Sequence, residues 1–238
     1  MQLIGLLGGM SWESTAEYYR LANEIVRDRC GGLRSARCLT YSVDFAPIER
    51  MQAAGSWDEA AGALARAGQA LEGAGADFLV LCTNTMHLVA DAVAGAVDIP
   101  LLHIGDTTAA AVTSAGVRRV GLLGTGFTMS QPFYADRLAE SGLEVLLPSS
   151  EDRDVVHRII YDELCLGVIR EESREEYRRA IRGLVEAGAE GVIYGCTEIE
   201  LLVGQQDSPV PVFPTTRLHV EAAVERALAG RPRRPDLP

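Results

Sequence analysis

Short apolar runs alternate along this chain with longer segments whose apolar positions recur every three to four residues. The short runs, rich in Leu, Val and Ile, predict strands at "LIGLLG" (3–8), "RCLTYSV" (37–43), "DFLVLC" (77–82), "PLLHI" (100–104), "RVGLLG" (119–124), "EVLLP" (144–148), "GVIYGC" (191–196) and "VPVF" (210–213). The periodic segments predict helices near 14–29, 57–74, 85–95, 106–115, 130–141, 151–166, 172–188 and 216–229. Asp106 and Ser173 stand where an N-cap is wanted, and Gly142 and Gly188 where a helix must stop. Strands separated by helices build β-α units around a mainly parallel sheet, so an α/β fold is expected.

The two halves also resemble each other. "IGLLGGMS" (4–11) matches "VGLLGTGF" (120–127), and "GADFLVLCT" (75–83) matches "GAEGVIYGCT" (188–197). Gly5 precedes Cys82 by 77 positions and Gly121 precedes Cys196 by 75. This repeat predicts two Rossmann-like or flavodoxin-like lobes related by a pseudo-two-fold axis, with the active site in the cleft between them. Residues 1–100 would form the first lobe, joined by the C-terminal helix 213–229, and 101–212 the second, leaving 230–238 as a flexible tail.

Composition narrows the function. A chain of 238 residues that is 47% hydrophobic can bury a real core. No apolar stretch approaches the roughly 18 to 20 residues that span a bilayer, and the first residues lack the basic flank of a signal peptide. A cytoplasmic protein is the expectation. The net charge of -11 argues against nucleic acid, whose binding rests on clustered cations; Arg231, Arg233 and Arg234 read as part of a frayed terminus. Five cysteines without a C-x-x-C pair favour free thiols over a disulfide framework or a zinc site, and Cys30 and Cys38 read as packed thiols. The histidines at 87, 103, 157 and 219 show no metal-ligand spacing and read as packed or surface residues. All 22 cations are arginine. Without lysine the chain can form neither the Schiff base of a pyridoxal phosphate enzyme nor a Walker A loop, so no cofactor and no metal are expected.

Cys82 and Cys196 each end a predicted strand and precede a helix. In open α/β sheets ligands bind at the carboxyl ends of the strands. Backbone N-H groups at a helix start can hold a carboxylate and lower a thiol's pKa from about 8.5. Inverting a carbon that bears a weakly acidic proton needs a base on one face and an acid on the other, which a thiolate and a thiol provide. Thr83, Asn84, Thr85 and Thr197 could bind an α-carboxylate, and Glu198 an α-ammonium. Gly8 and Gly9 permit a tight turn that places Met10 and Ser11 beside the same site, but "GLLGG" does not fit the dinucleotide fingerprint.

Four stretches, "IGLLGGMSWEST" (4–15), "YYRLANE" (18–24), "LCTNTMH" (81–87) and "GCTEIELL" (195–202), resemble the aspartate/glutamate racemase family, in particular its branch of L-aspartate/glutamate-specific and broad-specificity amino-acid racemases. The likeness runs to about residue 228. It implies a reaction independent of pyridoxal phosphate, in which Cys196 takes the proton from the L-substrate and Cys82 from the D-substrate. It also implies that Met10, Gln52, Thr83, Asn84, Thr85 and Thr197 line the substrate site, and that the enzyme is a homodimer. Several aspartate racemases of the family place a lysine near the substrate's side-chain carboxylate; Cys165, in "ELCLG", falls in that region here, and Arg50 is the alternative partner for such a group.

The expected activity is therefore racemisation of free aspartate or glutamate, with a small-molecule substrate and no nucleic-acid or membrane partner. Rivals on the same scaffold are racemisation of other amino acids, maleate isomerisation, hydantoin racemisation and decarboxylation of a substituted malonate. A thiol redox switch or small-acid binding module is the rival of a different class. The segment "REESREEYRRAIR" (170–182) reads as a solvated helix face.

Overall fold

The apolar runs at 3–8, 77–82, 119–124 and 191–196 form strands buried on both sides, as strands inside a parallel sheet must be. The computed structural model describes residues 1–230, which divide into two compact units: Met1–His103 with the chain from His219 on, and Ile104–Leu218. Among the described residues no helix is long and apolar enough to cross a membrane. The expected tail lies, apart from Gly230, outside the described residues.

The first unit contains β1 (Ile4–Gly8), α1 (Trp12–Cys30), β2 (Cys38–Ser42), α2 (Phe45–Ala54), α3 (Trp57–Gly73), β3 (Phe78–Leu81), a 3-10 turn (Thr85–Val89), α4 (Ala90–Ala94) and β4 (Leu101–Leu102). Its sheet has the order β2-β1-β3-β4, all parallel, with Ile4 opposite both Cys38 and Phe78. Because side chains alternate along a strand, the sheet offers two apolar faces. Leu7, Leu79 and Leu81 pack with Leu64, Ala67 and Leu71 of α3 on one. Ile4, Leu6, Phe78, Val80 and Cys82 pack with Tyr18, Leu21 and Val26 of α1 on the other, together with Val220, Val224 and Ala227 of the last helix.

The second unit contains α5 (Ile104–Ser114), β5 (Arg119–Gly124), α6 (Gly126–Ser130), α7 (Pro132–Ala139), β6 (Glu144–Leu146), α8 (Ser150–Asp162), a 3-10 turn (Leu164–Leu166), α9 (Glu171–Glu186), β7 (Gly191–Gly195), α10 (Ile199–Leu202), a 3-10 turn (Gln205–Asp207) and β8 (Val212–Pro214). The last helix, α11 (Thr215–Ala229), begins here and continues into the first unit. The parallel sheet runs β6-β5-β7-β8, the same succession of first, second, third and fourth strand as in the first unit. Leu123, Val192, Tyr194 and Cys196 face α8 and α9, while Val120, Leu122, Ile193 and Phe213 face α5 and α7.

Several elements differ from expectation for local reasons. Helix α2 was not anticipated, because it buries only Ile48 and Gln52 and carries Pro47 in its first turn, where a missing N-H costs nothing. Asp44 caps it by accepting from the Ala46 N-H at 3.2 Å. The helix expected over 130–141 starts only at Pro132, as α7, because Gln131 must be extended before Pro132, and the short α6 that precedes it was not anticipated. The helix expected over 151–166 stops at Asp162 and resumes as a 3-10 turn. Asp106 and Ser173 are not N-caps. Both lie inside the first turn of their helices, where Asp106 accepts two bonds from Arg137 and Ser173 donates to the buried Glu163 at 2.5 Å.

The charged face of α9 also does more than meet solvent. Asp207, whose side chain is fully buried, accepts from Arg178 Nε at 2.7 Å, Arg174 Nη1 at 3.3 Å and the Gly204 N-H at 2.9 Å. Burial works to raise its pKa and is outweighed by the Gly204 N-H and Arg178, so the carboxyl is held below its ordinary range. A carboxyl depressed in the folded state contributes stability above its unfolded pKa of about 3.9 and loses it as pH falls through the folded value. Asp207→Asn is expected to lower the unfolding free energy by about 2 kcal/mol at pH 7, with the difference from wild type shrinking below pH 3. Urea titrations at both pH values check this, and a pH-independent difference would refute it.

Candidate active site

In each unit the third strand of the sheet runs out into a Cys-Thr pair. In the first unit Cys82 follows β3 directly, fully buried, with its N-H on the Leu7 carbonyl at 2.9 Å and its thiol 3.6 Å from the Val80 carbonyl. The adjacent end of β1 turns sharply at Gly9, whose φ of +93° and tight approach to the Val43 backbone exclude a side chain. Thr15 secures the turn, accepting from the Gly9 N-H at 2.8 Å and donating to the Ser11 carbonyl at 2.9 Å. Ser11 caps α1, its hydroxyl accepting from the Ser14 N-H at 3.2 Å.

Most of the residues expected near Cys82 are buried in this unit: Met10, Ser11, Gln52, Asn84 and Thr85, with Thr83 partly exposed. Gln52 projects from the inner face of α2 and donates Nε2 to Met86 Sδ at 2.9 Å, while its buried Oε1 has no hydrogen-bond partner among the described residues. Arg50 lies on the exposed side of the same helix.

The second unit gathers Cys196, Thr197, Glu198 and Cys165. The Cys196 thiol donates to Glu198 Oε2 at 2.9 Å, and both residues are buried. Thr197 Oγ1 lies 2.7 Å from Thr216 Oγ1. Cys165, half buried in the 3-10 turn Leu164–Leu166, packs against the apolar cluster that contains Cys196. Beside β7, the Thr125 hydroxyl accepts from the Thr128 N-H at 3.2 Å, and His157 Nδ1 accepts from the Gly126 N-H at 3.0 Å.

The electrostatics of the thiols differ from the sequence expectation. Helix starts follow both cysteines, yet neither pKa is lowered. Burial pushes Cys82 up, with a smaller push from Cys38. Burial also pushes Cys196 well above its ordinary value, followed by the Glu198 charge and the thiol's bond to that carboxylate; the Glu198 N-H acts the other way. Desolvation wins because two or three N-H groups cannot replace a full water shell around a buried anion. Both sulfurs therefore carry their protons in the resting protein.

Three histidines that the sequence marked only as packed or surface residues also meet Tyr18 here. His87, His103, His219 and Tyr18 form a ring cluster in the first unit, with His87 and His103 ring centres 4.5 Å apart and Tyr18 OH 2.9 Å from His219 Nδ1. His87 stands inside the Cys82 motif, four residues after Thr83, which is a signal of sorts. His103 and His219 are distant in the chain and leave none. Among the described residues no group of three His, Cys, Asp or Glu side chains could hold a metal ion.

Comparison with known proteins identifies the family. A family model described as Asp/Glu/Hydantoin racemase matches residues 7–223. The chain is 53% identical to a candidate Asp/Glu racemase of known crystal structure from Yersinia pestis, over 96% of this chain and 100% of that one, with a TM-score of 0.91. It is 37% identical to an aspartate racemase homologue from Pyrococcus horikoshii OT3, over 96% and 100% of the two chains, with a TM-score of 0.84. It is also 24% identical to the broad specificity amino-acid racemase RacX of Bacillus subtilis (strain 168), over 95% of this chain and 99% of that protein. With a match that spans residues 7–223 of 238, the chain belongs to the Asp/Glu/hydantoin racemase family and is an isomerase of the racemase type.

Proposed function

We propose that this enzyme racemises a free amino acid of the aspartate/glutamate type by passing the α-proton between Cys82 and Cys196. The observation that carries the reading is the repeated placement of a buried cysteine, followed by a threonine, at the carboxyl end of the third strand of each sheet. The names of the relatives support an amino acid as substrate. The lysine-free chain offers no Schiff-base partner for pyridoxal phosphate, so the acidity of the α-carbon has to be met by the protein's own groups.

The chemistry balances once Glu198 has taken one of the two resting thiol protons, which leaves one proton between two sulfurs. Cys196 begins as a thiol bonded to the Glu198 carboxylate. When the substrate's α-ammonium enters, its positive charge offsets that carboxylate. The thiol proton can then cross the 2.9 Å hydrogen bond without any change in net charge within the buried site. The resulting thiolate takes the α-proton of the L-substrate, the electron pair moves into the carboxylate as an enediolate, and the Cys82 thiol delivers its proton to the opposite face. The D-product leaves with Cys82 as thiolate, Cys196 as thiol and the transferred proton still on Glu198; the reverse reaction starts from that state, and return of the Glu198 proton to a thiolate restores the resting protein. Thr83, Asn84, Thr85 and Thr197 supply hydroxyl, amide and backbone donors for the carboxylate, and Arg50 or Cys165 meets the side chain.

The test is proton NMR of the reduced protein with L- and D-amino acids in heavy water, combined with chiral chromatography. Loss of the α-proton with appearance of the opposite enantiomer for aspartate, glutamate or both is expected. Absence of exchange across all amino acids would overturn the reading.

A further inference from the structure

The backbone that leaves Cys82 is closed by a side chain that the proton transfer itself does not require. His87 is 3% exposed, and its Nδ1 lies 2.7 Å from the Thr83 carbonyl oxygen. A carbonyl only accepts, so Nδ1 carries the hydrogen and donates it. The His87 N-H donates to the Asn84 carbonyl at 3.0 Å, and the Thr83 N-H to the Leu81 carbonyl at 2.9 Å. Together these three bonds dictate the path of Thr83, Asn84 and Thr85 and, with it, the direction in which residue 82 leaves the strand.

The imidazole is itself held from behind. Its ring lies edge-on to His103, 4.5 Å away at 72°, and to His219, 5.8 Å away at 65°. His219 is completely buried and bonded at both nitrogens: Nε2 donates to the Leu102 carbonyl at 2.9 Å, which leaves Nδ1 to accept from Tyr18 OH at 2.9 Å. Burial pushes the His219 pKa down to about 4, so this ring stays neutral and its two bonds persist at physiological pH. A side chain locked at both ends forms a fixed wall, and a fixed wall gives His87 one orientation.

We propose that His87 is a positioning residue for Cys82, acting through its Nδ1-H bond to the Thr83 carbonyl, with the His103, His219 and Tyr18 cluster fixing its ring. The assignment rests on the reading of Cys82 as one of the two acid/base thiols. Catalysis of this kind is sensitive to small displacements of the acting group, and the displacement here would fall on one thiol and not on the other.

That asymmetry provides the test. If Cys82 is displaced, Cys196 still removes the α-proton of the L-substrate and can return a deuteron to the same face, so exchange continues while inversion fails. In heavy water, starting from the L-enantiomer, His87→Ala is expected to raise the ratio of deuterated L-substrate to D-product by about tenfold over wild type. Asparagine carries its N-H at the same distance from the backbone as Nδ1, and His87→Asn should bring the ratio back most of the way. Glutamine carries its N-H one atom further out, so His87→Gln should not. Loss of folded protein would lower exchange and inversion together and leave the ratio unchanged, and the Asn and Gln variants decide the matter even where His87→Ala does not fold. An unchanged ratio in His87→Ala, or equal ratios in His87→Asn and His87→Gln, would overturn the assignment. A wild-type enzyme with no exchange of any amino acid would remove the thiol reading and this assignment with it, so the two failures are told apart by the wild-type control.

Discussion

Replacing Cys196 or Cys82 by alanine is expected to reduce racemisation by about a thousandfold or more while leaving the protein folded, since a positioned acid or base typically contributes 10²- to 10⁴-fold. In the proposed reaction the two thiols are not redundant: each inversion would use one as base and the other as acid, so loss of either is expected to stop it. The folding cost is small by comparison. Both side chains are buried, and removal of one sulfur leaves a cavity smaller than that of a Leu→Ala change, about 1 to 2 kcal/mol against a typical stability of 5 to 15. The isotopic behaviour should also separate the pair. With the L-enantiomer in heavy water, Cys82→Ala should still exchange the α-proton through Cys196, whereas Cys196→Ala should not. Chiral chromatography, NMR and a thermal melt on each variant provide the measurement, and near-wild-type racemisation by either would remove the two-base reaction.

Glu198→Gln is expected to lower racemisation by about a hundredfold while making the Cys196 thiol easier to ionise. These effects run in opposite directions, which makes the pair informative. After burial, the Glu198 charge is the largest influence holding the Cys196 pKa up, so a neutral amide at this position moves the pKa down. Were thiolate population the sole limit on the reaction, the variant would be faster. It is expected to be slower because the carboxylate 2.9 Å from the thiol, proposed to receive its proton and to meet the substrate's ammonium, has gone. Alkylation of Cys196 followed by peptide mass spectrometry across pH reports the first effect, and initial racemisation rates report the second. A variant that alkylates more readily and racemises as fast as wild type would exclude Glu198 from the proton path.

Much of the fold is legible in the chain because local pattern and tertiary environment agree. The runs at 3–8, 77–82, 119–124 and 191–196 are continuous apolar stretches because their residues pack on both faces of a parallel sheet, and all four are central strands. Helix α2 was missed because it buries one residue per turn at most and begins with a proline in its first turn. The cap readings at Asp106 and Ser173 failed because side chains that can cap a helix can also bond a distant partner, and Arg137 and Glu163 took them. Arg174 and Arg178 read as solvated until the fold brought Asp207 to them.

The same division holds at the candidate site. The repeated strand-Cys-Thr pattern, the absence of lysine and the glycine turn at residues 8 and 9 are properties of the sequence alone, and they already point to the thiols at the strand ends as the candidate chemistry. The protonation of those thiols was decided by tertiary structure, because desolvation depends on everything packed around a sulfur and not on the helix start that follows it. Tertiary structure also chose the partner of Glu198, and it assembled His87, His103, His219 and Tyr18 from four separate parts of the chain. Contacts between residues so far apart carry no periodicity and no motif; they exist only once the sheet has placed α1, β4 and α11 side by side.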